Sequence, residues 1–300
     1  MRIGVDLGGT KIELVALGEG SEMLLRERVA TPQGDYPATV KAVADLVAVA
    51  ESRVGAGATV ASVGIGIPGA ESRVSGLIKN ANSTCLIGRP LRQDLQQLLA
   101  REVRIANDAN CFALSEAVDG AGVGARVVFG VILGTGVGGG IVIDGKLLTG
   151  ANAIAGEWGH NPLPGEHHKD NCYCGRRGCV ELYLSGPGLA RDHRRSTGAI
   201  AGDDISPEAI VRRAAAGDAQ CEATLQRYEA RLAKALATVI NILDPDVIVL
   251  GGGLSNIDRL YSNVPRLWGQ HVFSDQVATR LLKHRHGDSS GVRGAAWLWP

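Results

Sequence analysis

β-Branched runs that end in glycine turns recur along this chain, and they constrain its architecture more than any other feature. Arg2 to Leu7 and Lys11 to Leu17 flank Gly8-Gly9-Thr10, which reads as an opening hairpin. Val60 to Ile67 ends at Pro68-Gly69, Val127 to Leu133 at Gly134-Thr135-Gly136, and Val247 to Leu250 at Gly251-Gly252-Gly253. Each of these three is a nearly continuous apolar run, the pattern of a buried strand. Helical spacing fills the intervals: Val40, Val43 and Val47 within 37–54, then Leu225, Tyr228, Leu232, Leu236, Val239, Ile240 and Leu243 before Asp244-Pro245 stops the helix. With 41 glycines in 300 residues, the content is near twice the usual ~7%. That surplus predicts many positions of positive φ or of close backbone approach to a ligand. A mixed α/β fold follows, and no period of 20 to 50 residues argues for a solenoid.

Composition removes other classes. Thirty-one basic and 31 acidic side chains cancel, so no global field exists to hold nucleic acid or an anionic membrane. The 45% hydrophobic content is that of a globular core, and the length suggests about two domains, with a restart of the pattern near Gly120 to Gly124 as the boundary. The N-terminus has no leader pattern and no 18-residue apolar run occurs, which predicts a cytoplasmic protein. Two short basic groups, Arg191-x-His193-Arg194-Arg195 and Lys283-His284-Arg285-His286, lack interleaved aromatics and read as solvated faces. Gly291 to Trp299 reads as a short apolar helix.

Four stretches can carry chemistry. In Asp6-Leu7-Gly8-Gly9-Thr10-Lys11, glycine amides can approach a phosphate, Thr10 can donate to it, and Asp6 can orient hydrated Mg²⁺; an ordinary hairpin turn explains it as well. Gly134 to Gly140 contains a GxGxxG, but Ile141-Val142-Ile143 looks like a strand where a dinucleotide site needs a helix, so the Rossmann reading is rejected. Asp108 follows a short strand, Val103 to Ala106, and is either a general base or the N-cap of a helix over 109–118. Residue type alone favours the cap. Of six cysteines, Cys85, Cys111 and Cys221 read as buried hydrophobes, while Cys172, Cys174 and Cys179 fall within eight residues. Three thiolates and one imidazole make a closed tetrahedral zinc site of the structural kind. Spacing leaves the fourth ligand open among His160, His167 and His168.

Taken together, Asp6 to Lys11, Leu133 to Ile141, Gly156-Glu157-Trp158-Gly159-His160 and Cys172-x-Cys174-Gly175-x-x-Gly178-Cys179-x-Glu181 resemble the motif set of the ROK sugar kinases, in the actin-hexokinase-chaperone ATPase superfamily. The resemblance spans nearly the whole chain. It implies a two-lobed α/β, actin/hexokinase-like (ribonuclease H-like) fold with an interlobe active-site cleft: a small lobe of residues 1–120 joined by a C-terminal helix at about 288–300, and a large lobe of 121–287 carrying the zinc loop. It further implies ATP with Mg²⁺, structural Zn²⁺, a sugar substrate and a homodimer.

The same resemblance makes Asp108 the catalytic base and puts Asn80, Asn107, Glu157, His160 and Glu181 on the sugar. His160 becomes the fourth zinc ligand beside Cys172, Cys174 and Cys179, and zinc then preorganises the loop that presents His160 and Glu181. Asp6, Gly8, Gly9, Thr10, Lys11, Gly134, Thr135, Gly136, Gly252 and Gly253 fall to nucleotide and metal. In relatives an aromatic residue commonly stands where this chain has Cys85. Segments 79–84, 107–111, 115–120, 156–164 and 287–300 look closest to the bacterial fructokinases. The expected reaction is therefore phosphorylation of fructose at O6. Glucokinase, mannokinase and N-acetylhexosamine kinase are the alternatives within the family. A non-catalytic sugar-sensing regulator is the rival of another class; such regulators carry a helix-turn-helix ahead of the hairpin, for which the sequence shows no room.

Overall fold

Asp6 and Glu13 face each other across the first hairpin because the turn between them is only three residues long. The computed structural model describes residues 1–55, 61–81, 83–166, 170–200 and 203–299. The expectations for Asn82, His167, His168 and Val60 lie outside the described residues. In chain order the elements are β1 (Arg2–Leu7), β2 (Lys11–Leu17), β3 (Met23–Ala30), α1 (Tyr36–Val54), β4 (Ser62–Ile67), β5 (Ala70–Glu71), β6 (Ile78–Lys79), α2 (Leu91–Leu99), β7 (Val103–Asn107) and α3 (Asp108–Val118). Then come β8 (Val127–Leu133), β9 (Val137–Ile143), β10 (Lys146–Leu147), α4 (Glu181–Leu184), α5 (Gly186–Thr197), α6 (Pro207–Ala215) and α7 (Ala219–Leu243). The chain closes with β11 (Val247–Gly251), α8 (Leu260–Trp268), β12 (Arg280–Lys283) and α9 (Ser290–Ala296).

Two compact units result. The first comprises Met1–Gly124, Gly140–Ala155 and Arg285–Pro300, and the second Ala125–Gly139 and Gly156–His284.

In the first unit a five-stranded sheet has the order β3-β2-β1-β4-β7. β1 to β3 form an antiparallel meander, while β1, β4 and β7 run parallel. Ile3, Val5, Leu7, Ile12 and Leu14 are fully buried with Val43 and Val47 of α1 and Leu91 and Leu95 of α2. Because apolar residues occupy both faces of β1 and β2, a second layer must cover the other side. α9 does so, packing Val292 and Ala296 on Val15 and Leu17. It lies so close that a Cβ on Gly64 would fall 1.9 Å from the Ala295 carbonyl oxygen. The tail helix is shorter than the sequence suggests and ends at Ala296. Trp299, beyond it, donates from Nε1 to the Val63 carbonyl at 2.7 Å.

In the second unit β8, β11 and β12 are parallel, and α7 buries Leu225, Tyr228, Leu232 and Leu236. Asp218 caps that helix by accepting from the Gln220 and Cys221 amides. The basic groups are not simple solvated faces. His193 is 1% exposed, and its Nδ1 lies 2.9 Å from Thr224 Oγ1, because the face of α5 that carries it packs on α7. His286, in the first unit, pairs with Asp119 at 3.0 Å. No helix among the described residues is long and apolar enough to cross a membrane.

Candidate active site

The first hairpin turn is held by its carbonyls. Thr31 Oγ1 donates to the Gly8 oxygen (2.7 Å), Gln33 Nε2 to that of Gly9 (3.2 Å) and the Thr31 amide to that of Thr10 (3.0 Å). Among the described residues nothing accepts from the Gly9 or Thr10 N–H, so the turn presents donors, as an anion site must. Thr10 and Lys11 are exposed beside them. At the end of β1, burial together with the nearby charges of Asp108 and Glu13 pushes the Asp6 carboxyl up to about 6. Carboxylates that repel one another this way form a ready seat for a divalent cation.

Asp108 opens α3 and is exposed. The helix cap is Asn107, whose Oδ1 accepts from the Ala109 amide at 2.9 Å. The capping role considered for Asp108 therefore belongs one residue earlier, although Asp108 Oδ1 also accepts from that amide at 2.8 Å. Asn107 Nδ2 donates to the Gly69 carbonyl at 3.1 Å, so both ends of this amide are engaged within the protein. Gly69 has φ 82°, and a Cβ there would meet the Lys79 oxygen at 2.4 Å and the Ala81 amide at 2.8 Å. The glycine lets the 79–81 strip lie against residue 69. Asn80, itself left-handed at φ 57°, sits within that strip, and Asn107 bonds the carbonyl of the same glycine. Cys85 is half-buried and packs on the core.

The predicted strand after Gly134-Thr135-Gly136 is present as β9, which upholds rejection of a dinucleotide fold. Glu181, at the start of α4, accepts from the Val137 amide through Oε2 at 3.0 Å, tying the zinc-loop side to this glycine turn. Gly252 adopts φ 79°, and a Cβ there would fall 2.5 Å from the Leu133 oxygen; its immediate role is to let the end of β11 close on β8. Trp158, to which the sequence reading gave no role, anchors the Glu157–His160 turn. Its Nε1 donates to the Gly138 oxygen at 3.2 Å, and its ring meets Phe129 edge-on. A Cβ on Gly159 would lie 2.1 Å from the Val137 oxygen. A tryptophan set between glycines was the available sign that this turn docks on a strand.

His160, Cys172, Cys174 and Cys179 converge, their ligand atoms all within 4.8 Å of one another. Cys172 Sγ is 3.7 Å from His160 Nδ1, and Cys174 Sγ is 3.6 Å from Cys179 Sγ. A tetrahedral centre with Zn–S bonds of ~2.3 Å has S···S edges of about 3.8 Å, so the donor set and its spacing fit zinc. Among the described residues His160 is the imidazole that stands with the three thiols.

The match to the ROK family model covers residues 2–300. An N-acetyl-D-glucosamine kinase of Photobacterium profundum is 41% identical over 306 residues, covering 99% of each chain. Among solved structures, a ROK hexokinase from Thermus thermophilus superposes with a TM-score of 0.86 at 30% identity, over 99% of this chain and 96% of that one. A ROK family glucokinase from Streptomyces griseus, in complex with glucose and AMPPNP, gives 0.80 at 29% over 99% and 98%. The match spans the donor-rich hairpin, the helix start at Asp108 and the Cys3His cluster alike, and the chain belongs to the ROK family.

Proposed function

We propose that this protein is an ATP-dependent hexose kinase whose acceptor is N-acetyl-D-glucosamine, phosphorylated at its 6-hydroxyl. The observation that carries the acceptor is the Photobacterium kinase of that name, 41% identical across 99% of both chains. It favours the N-acetylhexosamine alternative over fructose. The segments that looked closest to fructokinases include Asn107-Asp108 and the Glu157–His160 turn, which serve any hexose presenting a primary hydroxyl, and so they report the reaction more than the sugar.

In this reading Asp108 accepts the proton of the sugar O6 as that oxygen attacks the γ-phosphoryl group, and the protein's remaining task is positioning and charge. Gly9 and Thr10 N–H groups and Lys11 bind the phosphates. Asp6 would hold Mg²⁺, which would supply positive charge to offset that of the phosphates. Glu157, Glu181 and His160 accept from or donate to sugar hydroxyls, and Asn80 and Asn107 orient the sugar toward Asp108. His160, Cys172, Cys174 and Cys179 would hold zinc, which would fix the orientation of the imidazole.

A coupled assay with ATP·Mg²⁺ over N-acetyl-D-glucosamine, glucose, mannose, fructose and N-acetylmannosamine tests the acceptor. N-acetyl-D-glucosamine should show the highest kcat/KM; a tenfold advantage for another hexose defeats the assignment and leaves the kinase reading standing. Metal content tests the cluster. About one zinc per chain is expected, and Cys174→Ser should release it, raising the sugar KM about tenfold or more while moving the ATP KM less. Zinc-free protein purified without chelator would refute the site.

A further inference from the structure

Tyr173, set between two cysteines of the cluster, has no part in the reading above. Its ring stands edge-on to His160, with centroids 5.3 Å apart and planes at 87°. Its phenolic oxygen is 3.1 Å from His160 Nε2. The side chain is 77% exposed, so nothing in the core holds it there. Its partner His160 is one of the groups proposed to meet the sugar.

The two imidazole nitrogens cannot both serve as acceptors and donors at will. Nδ1 faces Cys172 Sγ at 3.7 Å, and a nitrogen that ligates a cation gives up its lone pair, leaving the neutral ring's one proton on Nε2. That single N–H is directed at the Tyr173 oxygen. A sugar hydroxyl bound by His160 needs the same donor.

We propose that Tyr173 is a substrate-displaced cap on His160, a positioning residue that sets sugar affinity. The proposal rests on the hexose-kinase reading, specifically on His160 contacting the sugar. In the sugar-free protein the phenol satisfies Nε2–H. When sugar arrives, a hydroxyl takes that proton and the phenol turns out into solvent. The exchange replaces one hydrogen bond by another, so the donor is satisfied in both states, and binding is weakened by the worth of the bond given up. Exposed side chains change rotamer in picoseconds to nanoseconds, far faster than turnover, so the cap acts on affinity and not on the chemical step.

Tyr173→Phe keeps the ring and removes the competing oxygen. In the zinc-loaded protein, the sugar KM and the dissociation constant from calorimetric titration with N-acetyl-D-glucosamine alone should both fall about two- to tenfold. The value of kcat and the ATP KM should move less than twofold, with zinc content unchanged. In ¹⁵N-labelled protein, the His160 Nε2–H signal should shift with this substitution and with sugar addition to the wild type. An unchanged or raised sugar KM at full zinc content overturns the cap, as does loss of zinc, which would make Tyr173 a support of the metal loop. A wild type that turns over the sugar while the variant behaves identically defeats the cap alone; a wild type that neither binds nor phosphorylates any hexose defeats the reading beneath it as well.

Discussion

Asp108→Asn should lower turnover by about 10² to 10⁴-fold, the range that general-base assistance supplies, while sugar and ATP affinities change by no more than a few-fold. The substitution removes the proton acceptor and little else. The N-terminus of α3 is secured by Asn107, which accepts from the Ala109 amide at 2.9 Å. An asparagine at position 108 still has an Oδ1 to accept from the same amide, as the aspartate does at 2.8 Å. Helix unravelling therefore cannot imitate the loss, and an unchanged circular dichroism spectrum with unchanged calorimetric binding would isolate it to chemistry. If kcat stayed at the wild-type value, Asp108 would be only the first residue of its helix and the base would have to be sought elsewhere.

What was legible in advance divides along physical lines. Buried strands such as β8 and β11 announce themselves because both faces must be apolar, and α7 does so because its buried stripe has one period over 25 residues. The metal cluster was legible because ligand chemistry ties a set of residue types to a short spacing. Roles set by backbone contact were not. Nothing in Pro68-Gly69 says that the glycine must admit the Lys79 carbonyl, and the Asn107-Asp108 pair does not reveal which member caps. The burial of His193 depends on which face of α5 meets α7, information carried by the partner helix and not by the basic run itself. The sugar lies a further step away. The motif residues proposed for the sugar would meet groups common to hexoses, so they do not by themselves name the acceptor.

Asp6→Asn should make the magnesium-free protein more stable at neutral pH while abolishing efficient turnover. The Asp6 carboxyl is only partly exposed, and burial, then Asp108, then Glu13 raise it from an ordinary 3.8 to about 6, against the opposing pull of Lys11. Glu13 itself is 2% exposed, paired with Arg26 and Arg28 at 2.6 and 2.7 Å, and stands opposite Asp6 in the hairpin register. Below about pH 4 both folded and unfolded chains hold the Asp6 proton, and the residue costs nothing. As pH rises, the unfolded chain releases its proton first while the folded chain keeps its own until about 6, so stability falls across that window and the cost is constant above it. The full cost is on the order of 3 kcal/mol. An amide has the shape of the protonated acid and escapes the penalty. Denaturant unfolding should therefore show the variant and wild type nearly equal at pH 4 and separated by a few kcal/mol at pH 7.5. Equal stabilities at both pH values would mean that Asp6 is not strained, and the argument that this strained carboxylate is there to meet a cation would fall with it.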